Sequence, residues 1–497
     1  MASVNEHIAL RVTPLNKLKR TGGLLQGPMA RLENVQFSSW IADALPEVLW
    51  CTLVITALPR EEGLECFRRI LRKVAQHKGV LGNRRLEHSK LAELDAASFD
   101  LFFVEECKTQ SVATALAPLL LLENLPDRAH WLRLLPEVGP DGWDRLADAI
   151  AGTFDHQSQA ATDCRWFKLT TVAAQGNLFL PASMEERRKE FNEYPDRGDM
   201  RTVRPSIRAL EMTFRPGSAG EARSQWLDEF WQEGWRKTEC LLFNPDEKAK
   251  IASHNQLFEQ LVELSEELTR HFVETVEHTG VDAKHDSCFG LVFFITHLLF
   301  FSLKGVVGQT IPGRIILRAA VECHITLAYL VHHDNPTIWM QYRNYGAGQI
   351  KLAFLKRIDE EDVPSFISTE LLEQMANHDA WLEFQDIKLG AWANRNLRDM
   401  AKDAGEKAFY DRYYDVLSGY VHGNWSAVLH SVYGQCLNPL HRFHRIPMPP
   451  RVLIDDAVPD LKKICNLALD KLAHMYPPFK PRLREARSEA AAEEAVK

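Results

Sequence analysis

Two polar stripes at helical spacing carry the residue types with which this sequence could do chemistry. In R-I-I-L-R-A-A-V-E-C-H-I-T-L-A-Y-L, Arg314, Arg318 and Glu322 stand at i, i+4 and i+8, a spacing that lines three charged groups along one helix face. Their flanks, among them Ile315, Leu317, Val321 and Ile325, are apolar, so these charges enter an interior or a cleft, where they need partners. Two chemistries fit. One is a buried Arg318 to Glu322 ion pair that ties helices together; the other is a cleft in which the guanidinium fork holds an anion such as a phosphate. In D-R-Y-Y-D-V-L-S-G-Y-V-H-G-N-W, residues 411–425, the spacing repeats with Tyr414, Ser418 and His422, and Gly423 follows where a helix would end. A phenol, a hydroxyl and an imidazole on one stripe supply either groups for general acid/base work or a structural hydrogen-bond network.

The elements that must position these groups are mostly helices. From Val35 to about Asp155 apolar residues recur at three- and four-residue spacing, which predicts successive amphipathic helices. One is expected from Arg60 to Gln76, with Cys66, Phe67, Ile70, Leu71 and Val74 inward and Arg68, Arg69, Arg72 and Lys73 on a solvated face. Cys164 to Leu180 has the most strand-like composition and reads as a short strand or hairpin, and residues 185–220 read as a polar, Arg/Pro/Gly-rich exposed connection. After a tryptophan-rich helix with Trp226, Trp231 and Trp235, the F-N-P-D-E at Phe243 to Glu247 is a helix-start signal. The expected division is therefore a helical domain over 1–240, a second over 245–480 and a tail over 481–497. Helices are expected at about 245–277, 288–307, 312–332, 335–357, 365–377, 394–404, 406–422 and 455–475. Phe289 to Leu303 is fifteen residues long and contains His297, short of the roughly twenty that span a bilayer, which predicts a buried core helix and no membrane segment.

Composition bounds the function classes. The 497 residues are 45% hydrophobic, enough for a sizeable core, and 59 Lys and Arg against 67 Asp and Glu leave a net charge of −8. That excludes a globally basic nucleic-acid binder, so any nucleic-acid contact must be local. The nine cysteines lie far apart with no C-x-x-C pair, and no apolar leader opens the chain; a reducing, cytoplasmic address without zinc, cofactor or structural disulfide is expected. There is no G-x-x-x-x-G-K-[ST], no G-x-G-x-x-G after a strand, no H-E-x-x-H and no G-x-S-x-G, so the usual nucleotide, zincin and hydrolase readings lack support. Three weaker features have bland readings beside functional ones. H-R-F-H-R at His441 to Arg445 mixes basic and aromatic residues as a single-strand contact would, or is an exposed Pro-rich loop. His332, His333 and Asp334 offer metal-ligand types or a solvent-facing helix end. D-E-E-D at Asp359 to Asp362 reads as a solvated turn.

Taken together, R-x-x-x-E at Arg318 and Glu322, a following tyrosine-bearing helix with Tyr342 and Tyr345 in Q-Y-R-N-Y, and Y-x-x-x-S-x-x-x-H-G at Tyr414, Ser418, His422 and Gly423 resemble a family of bacterial helical domains of unknown function. The resemblance covers roughly residues 255–440. That family is similar in outline to the HEPN helical domains, many of which act in bacterial toxin and phage-defence systems as metal-independent ribonucleases, often as homodimers. The resemblance implies an all-α architecture with a C-terminal HEPN-like bundle, a phosphate-binding Arg, and a His acting in acid/base catalysis on a ribose 2′-hydroxyl. The sequence departs from the HEPN pattern, since Asp415, Val416, Leu417 and Ser418 stand where an Arg four to seven residues before His422 would be. Arg318 and His324 fit literally, but six residues turn a helix by about 600°, which puts them on different faces.

The resulting expectation is an intracellular defence or toxin-type effector that cleaves RNA without metal. Arg318, Glu322, Ser418 and His422 would form its catalytic set, and Arg314, Tyr345, Tyr414 and Arg395 would bind substrate. RNA or a nucleotide, and a second copy or a partner protein, are the expected partners. The alternative is a non-catalytic helical scaffold or nucleotide sensor in which the same residues form a structural polar network.

Overall fold

The computed structural model describes residues 15–27, 39–82, 84–177, 184–213, 224–241, 252–277, 281–357, 364–377, 386–442, 444–449 and 453–484. It is mostly α-helical, and its only strands among the described residues form two short pairs, Lys19–Thr21 with Leu24–Gln26 and Tyr433–Gln435 with Arg445–Pro447. The chain divides into two compact units, one of Met1–Leu242 with Gln435–His444, the other of Phe243–Gly434 with Arg445–Lys497. A ten-residue segment of the second half of the sequence therefore folds with the first unit.

In unit one the apolar helix Leu49–Ala57 buries Trp50, whose ring meets Phe67, Phe103 and Phe167 edge-on at centroid distances of 5.1–6.0 Å. Edge-to-face pairing adds to the area each ring buries. The Arg60–Gln76 helix forms where its periodicity predicts, with Cys66, Phe67, Ile70 and Val74 inside. Its basic face is not simply solvated. Arg69 and Lys73 converge on the buried carboxylate of Glu106 at 2.8 and 3.3 Å.

Two expectations fail in this unit for the same reason. The expected strand is not found over the described part of Cys164 to Leu180, residues 178–180 lying outside the described residues: Gln159–Ala174 is a helix, started by Ser158, whose Oγ accepts the Ala161 N–H. It is buried on nearly every side, so its aromatic and β-branched residues mark a central position rather than extended backbone. Its hydroxyls are absorbed by i−4 carbonyls, as in Thr171 to Phe167 O at 2.8 Å. Nor is the described part of residues 185–220 merely a connection, because Glu185–Asn192 and Met200–Thr213 are helices that bury Phe191, Val203 and Ile207, and Tyr194 is buried in the turn between them. A few well-placed apolar residues anchor a segment whose average is polar. Beneath them, Asp163 accepts from Nε and Nη2 of Arg60 at 2.8 and 2.9 Å and from the hydroxyl of Tyr194 at 2.5 Å.

Unit two is a bundle around Ile311–His333, which packs against Ala283–Ser302, Leu397–Asp403, Lys407–His422 and Val458–Met475. The core joins Phe289, Val292 and Ile295 to Val321 and Ile325 and to Leu461, Ile464 and Leu469. The remaining expected helices are Asn255–Glu274, Pro336–Leu355 and Thr369–Ala376; the expected start at Pro245 and the turn at 359–362 lie outside the described residues. Trp425–Val432 is a further helix that the sequence did not signal. Two helices, Ala283–Ser302 and Ile311–His333, are long and apolar enough to cross a membrane by length and composition, and 56% of each apolar window is buried within the protein. The segment at 481–484 is held in place: Asn466 donates to Leu483 O and accepts from Leu483 N, both at 2.9 Å.

Candidate functional site

The first stripe lies on the central helix of unit two. Pro312 opens that helix within its first turn, a position where the missing N–H costs nothing, and Arg314 reaches the backbone carbonyl of Asp455. One turn on, Arg318 is 6% exposed. Its guanidinium carbon lies 3.6 Å above the centre of the Tyr414 ring, and Tyr410 stacks on Tyr414 nearly parallel, with centroids 4.4 Å apart. Guanidinium and two phenols thus form one column that joins Ile311–His333 to Lys407–His422. A cation over an aromatic face is held by the ring's quadrupole, and more strongly when both are desolvated.

Glu322 Oε1 pairs with Arg318 Nη1, but by proximity of charge, because Nη1 and the buried Nε lack an aligned hydrogen-bond acceptor among the described residues. The Glu322 side chain is 48% exposed, which screens its share of the pairing. Burial, with Glu322 nearby, pushes the neighbouring Cys323 thiol up to about 12, so it is not a nucleophile near neutral pH.

The second stripe is not gathered at this point. Tyr414 is in the column, Ser418 is half-buried, and His422 is exposed at the last residue of its helix, capped by Gly423 at φ 62°. Eight residues at 1.5 Å each set His422 about 12 Å along the axis from Tyr414. Among the described residues neither Ser418 nor His422 touches Arg318 or Glu322 by hydrogen bond or ion pair. Tyr345 is half-buried on Pro336–Leu355 and joins no part of the column. Arg395 lies elsewhere, paired with Asp403 at 3.2 Å, and Asp403 also takes His333 Nε2 at 3.0 Å. The hydrogen bond from His333 holds the Asp403 carboxyl low. Asp334 pairs instead with Lys284 and with the Trp339 indole, so His332, His333 and Asp334 do not form one ligand set.

A residue that the motif reading set aside is more deeply engaged. His324 is fully buried, its ring 4.8 Å from that of Phe409, and its Nε2 lies 3.7 Å from Glu406. His324, and Lys471 at 3.3 Å, hold the Glu406 carboxyl down at about 2. Nothing in the local sequence distinguishes His324 from an ordinary core residue; only the approach of Glu406, just before Lys407–His422, and of Lys471 on Val458–Met475 does. The structure thus brings together Arg318, Glu322 and Tyr414, and separately His324, Glu406 and Lys471, while Arg314, Tyr345, Arg395, Ser418 and His422 stay apart from both.

Residues 306–436 match a family of unknown function (DUF5677). The match runs from just before the Arg318 helix to just beyond Trp425–Val432 and covers about a quarter of the chain. No curated protein and no solved structure matches.

Proposed function

We propose that this protein is a non-catalytic helical scaffold or binding protein in which Arg318, Glu322 and Tyr414 form a structural polar cluster. One observation carries the reading. The guanidinium expected to receive a phosphate is buried against Tyr414 and faces Glu322, while the imidazole expected to move the proton is exposed two turns further along. An Arg and a His that share one phosphate must each reach it by hydrogen bonds of about 3 Å. The column holds Arg318 inside the bundle, stacked on Tyr414 and facing Glu322, which supports a structural use of its charge.

The test is incubation of the full-length protein with single-stranded RNA and analysis of the products by gel and mass spectrometry, beside the His422→Ala and Arg318→Met variants. Equal, background cleavage by all three is the expected result. Cleavage by the wild type that both variants lose, with helicity by circular dichroism unchanged, would replace this reading with that of a metal-independent ribonuclease built on Arg318 and His422.

A further inference from the structure

Four side chains of unit one, none of them in the polar stripes, converge at the segment that returns late in the sequence. Cys240 lies just after the Trp226–Lys237 helix, and Cys436, His441 and His444 belong to Gln435–His444. One ligand atom from each, two sulfurs and two ring nitrogens, lie within 4.8 Å of one another. The individual separations are 3.3 Å from Cys240 Sγ to His444 Nε2, 3.6 Å from Cys240 Sγ to His441 Nδ1 and 3.5 Å from Cys436 Sγ to His441 Nδ1. In a tetrahedral centre with Zn–S near 2.3 Å and Zn–N near 2.0–2.1 Å, the sulfur-to-nitrogen edges come to about 3.5 Å. The measured edges bracket that value.

The surrounding hydrogen bonds decide which His441 nitrogen is available. Thr238 has one hydroxyl proton, and it is donated to Gly234 O at 2.7 Å. Towards His441 Nε2, 3.0 Å away, the hydroxyl can therefore only accept, so Nε2 carries the ring proton and Nδ1 presents a bare lone pair between the two sulfurs. A ligating imidazole that donates its other N–H to a fixed acceptor is the usual outer support of a metal site. Thr238 is itself fixed by Asn438, whose Nδ2 donates to the Thr238 oxygen at 2.9 Å and to Glu239 O at 2.8 Å. Backbone bonds from Leu437 N to Leu241 O at 2.9 Å and from Cys436 N to His444 O at 2.8 Å align the two strips of chain. Trp235 packs on both imidazoles, with centroids 4.6 and 4.5 Å away.

From this geometry we infer that Cys240, Cys436, His441 and His444 form a structural zinc site. Two sulfurs and two imidazole nitrogens at tetrahedral spacing suit Zn²⁺ better than the hard cations, which take oxygen. Binding releases two thiol protons to solvent, and the two thiolates cancel the ion's charge, so the centre is neutral where Cys436 and His441 are buried. Four protein ligands leave no open position for catalysis. The site pins Gln435–His444 to the end of the Trp226–Lys237 helix. It departs from the metal-free expectation, which rested on the lack of a C-x-x-C pair; Cys-x4-His-x2-His from Cys436 to His444 supplies three ligands, and the fourth comes from almost two hundred residues earlier.

The experiment measures the metal content of full-length protein after incubation with Zn²⁺ and dialysis, and the absorption of the Co²⁺-substituted form. About one zinc per chain is expected, together with thiolate-to-Co²⁺ charge transfer and intense tetrahedral ligand-field bands. Cys436→Ser and His441→Ala should both lose them, and chelation of the wild type should speed proteolytic cleavage within 435–444. If the variants do not fold, the wild-type stoichiometry and spectrum decide alone. Wild-type protein with no metal above background, or with Cys240 and Cys436 found as a disulfide after thiol blocking during lysis, would overturn the assignment.

Discussion

Replacement of Arg318 separates what its stem, its charge and its partners contribute. Arg318→Ala removes two buried methylenes beyond Cβ, at about 0.8 kcal/mol each, and the stack on Tyr414, worth up to about 2 kcal/mol when desolvated. Against that, it removes a buried Nε with no acceptor among the described residues, and relief of one such group returns about 1–3 kcal/mol. The balance is a loss of about 2 kcal/mol. Arg318→Met keeps the stem volume while losing the stack and the unpaired nitrogen together, so it should lie within about 1 kcal/mol of wild type, as ionic groups replaced by apolar ones of similar volume often do. Glu322→Gln, at a half-exposed side chain, should cost no more than about 0.5–1 kcal/mol, and a double-mutant cycle of Arg318→Met with Tyr414→Leu should return a coupling of about 1–2 kcal/mol. The assay is native-state amide exchange read on Ile311–His333 and Lys407–His422, because two compact units make one global transition a poor measure of either. Arg318→Met as damaging as Arg318→Ala, together with no coupling to Tyr414, would refute the stacked column as the holding interaction.

Two further outcomes follow from the same unit. Glu406, held at about 2 by His324 and Lys471, has a folded-state pKa below its unfolded value near 4.5. Its contribution is therefore complete above about pH 4.5 and is lost as pH falls towards 2, with a size of no more than about 2–3 kcal/mol once solvent screening of the partly exposed carboxylate is allowed for. The stability gap between wild type and Glu406→Gln should be widest near pH 6 and close on acidification; a gap that does not change with pH would show that the ionised carboxylate is not responsible. Gly423 has φ 62° with nothing within 4 Å of an added Cβ, so Gly423→Ala should cost about 1 kcal/mol of left-handed backbone strain and no clash. Exchange rates at the end of Lys407–His422 would measure it, and an unchanged or slower rate would contradict the strain.

How much was legible in the sequence follows from which interactions are local. The Arg318 and His422 helices could be read because i, i+4 periodicity and a terminal Gly act within one segment. The strand expected at Cys164 to Leu180 failed because burial on every side of a helix enriches the same aromatic and β-branched residues as a strand does. Residues 185–220 misled in the opposite direction, since four buried side chains suffice to dock two helices whose composition is otherwise polar. His441 and His444, read as an exposed loop or a single-strand contact, proved half-buried or buried beside two cysteines, a placement that depends on where the chain returns.

By itself, then, the sequence determined the helical class, most helix positions in the second half and the two stripes with their spacing, because these depend on side-chain period and capping along a few turns. Only the tertiary structure decided what the stripes do: that Arg318 meets Tyr414 while His422 stays exposed, that His324 faces Glu406, and that Cys240 meets Cys436, His441 and His444. These pairings join residues from about eighty to two hundred positions apart. Periodicity says which face of a helix turns inward, but the side chain it meets there is set by how whole helices pack and where the chain comes back, and that is a property of the fold.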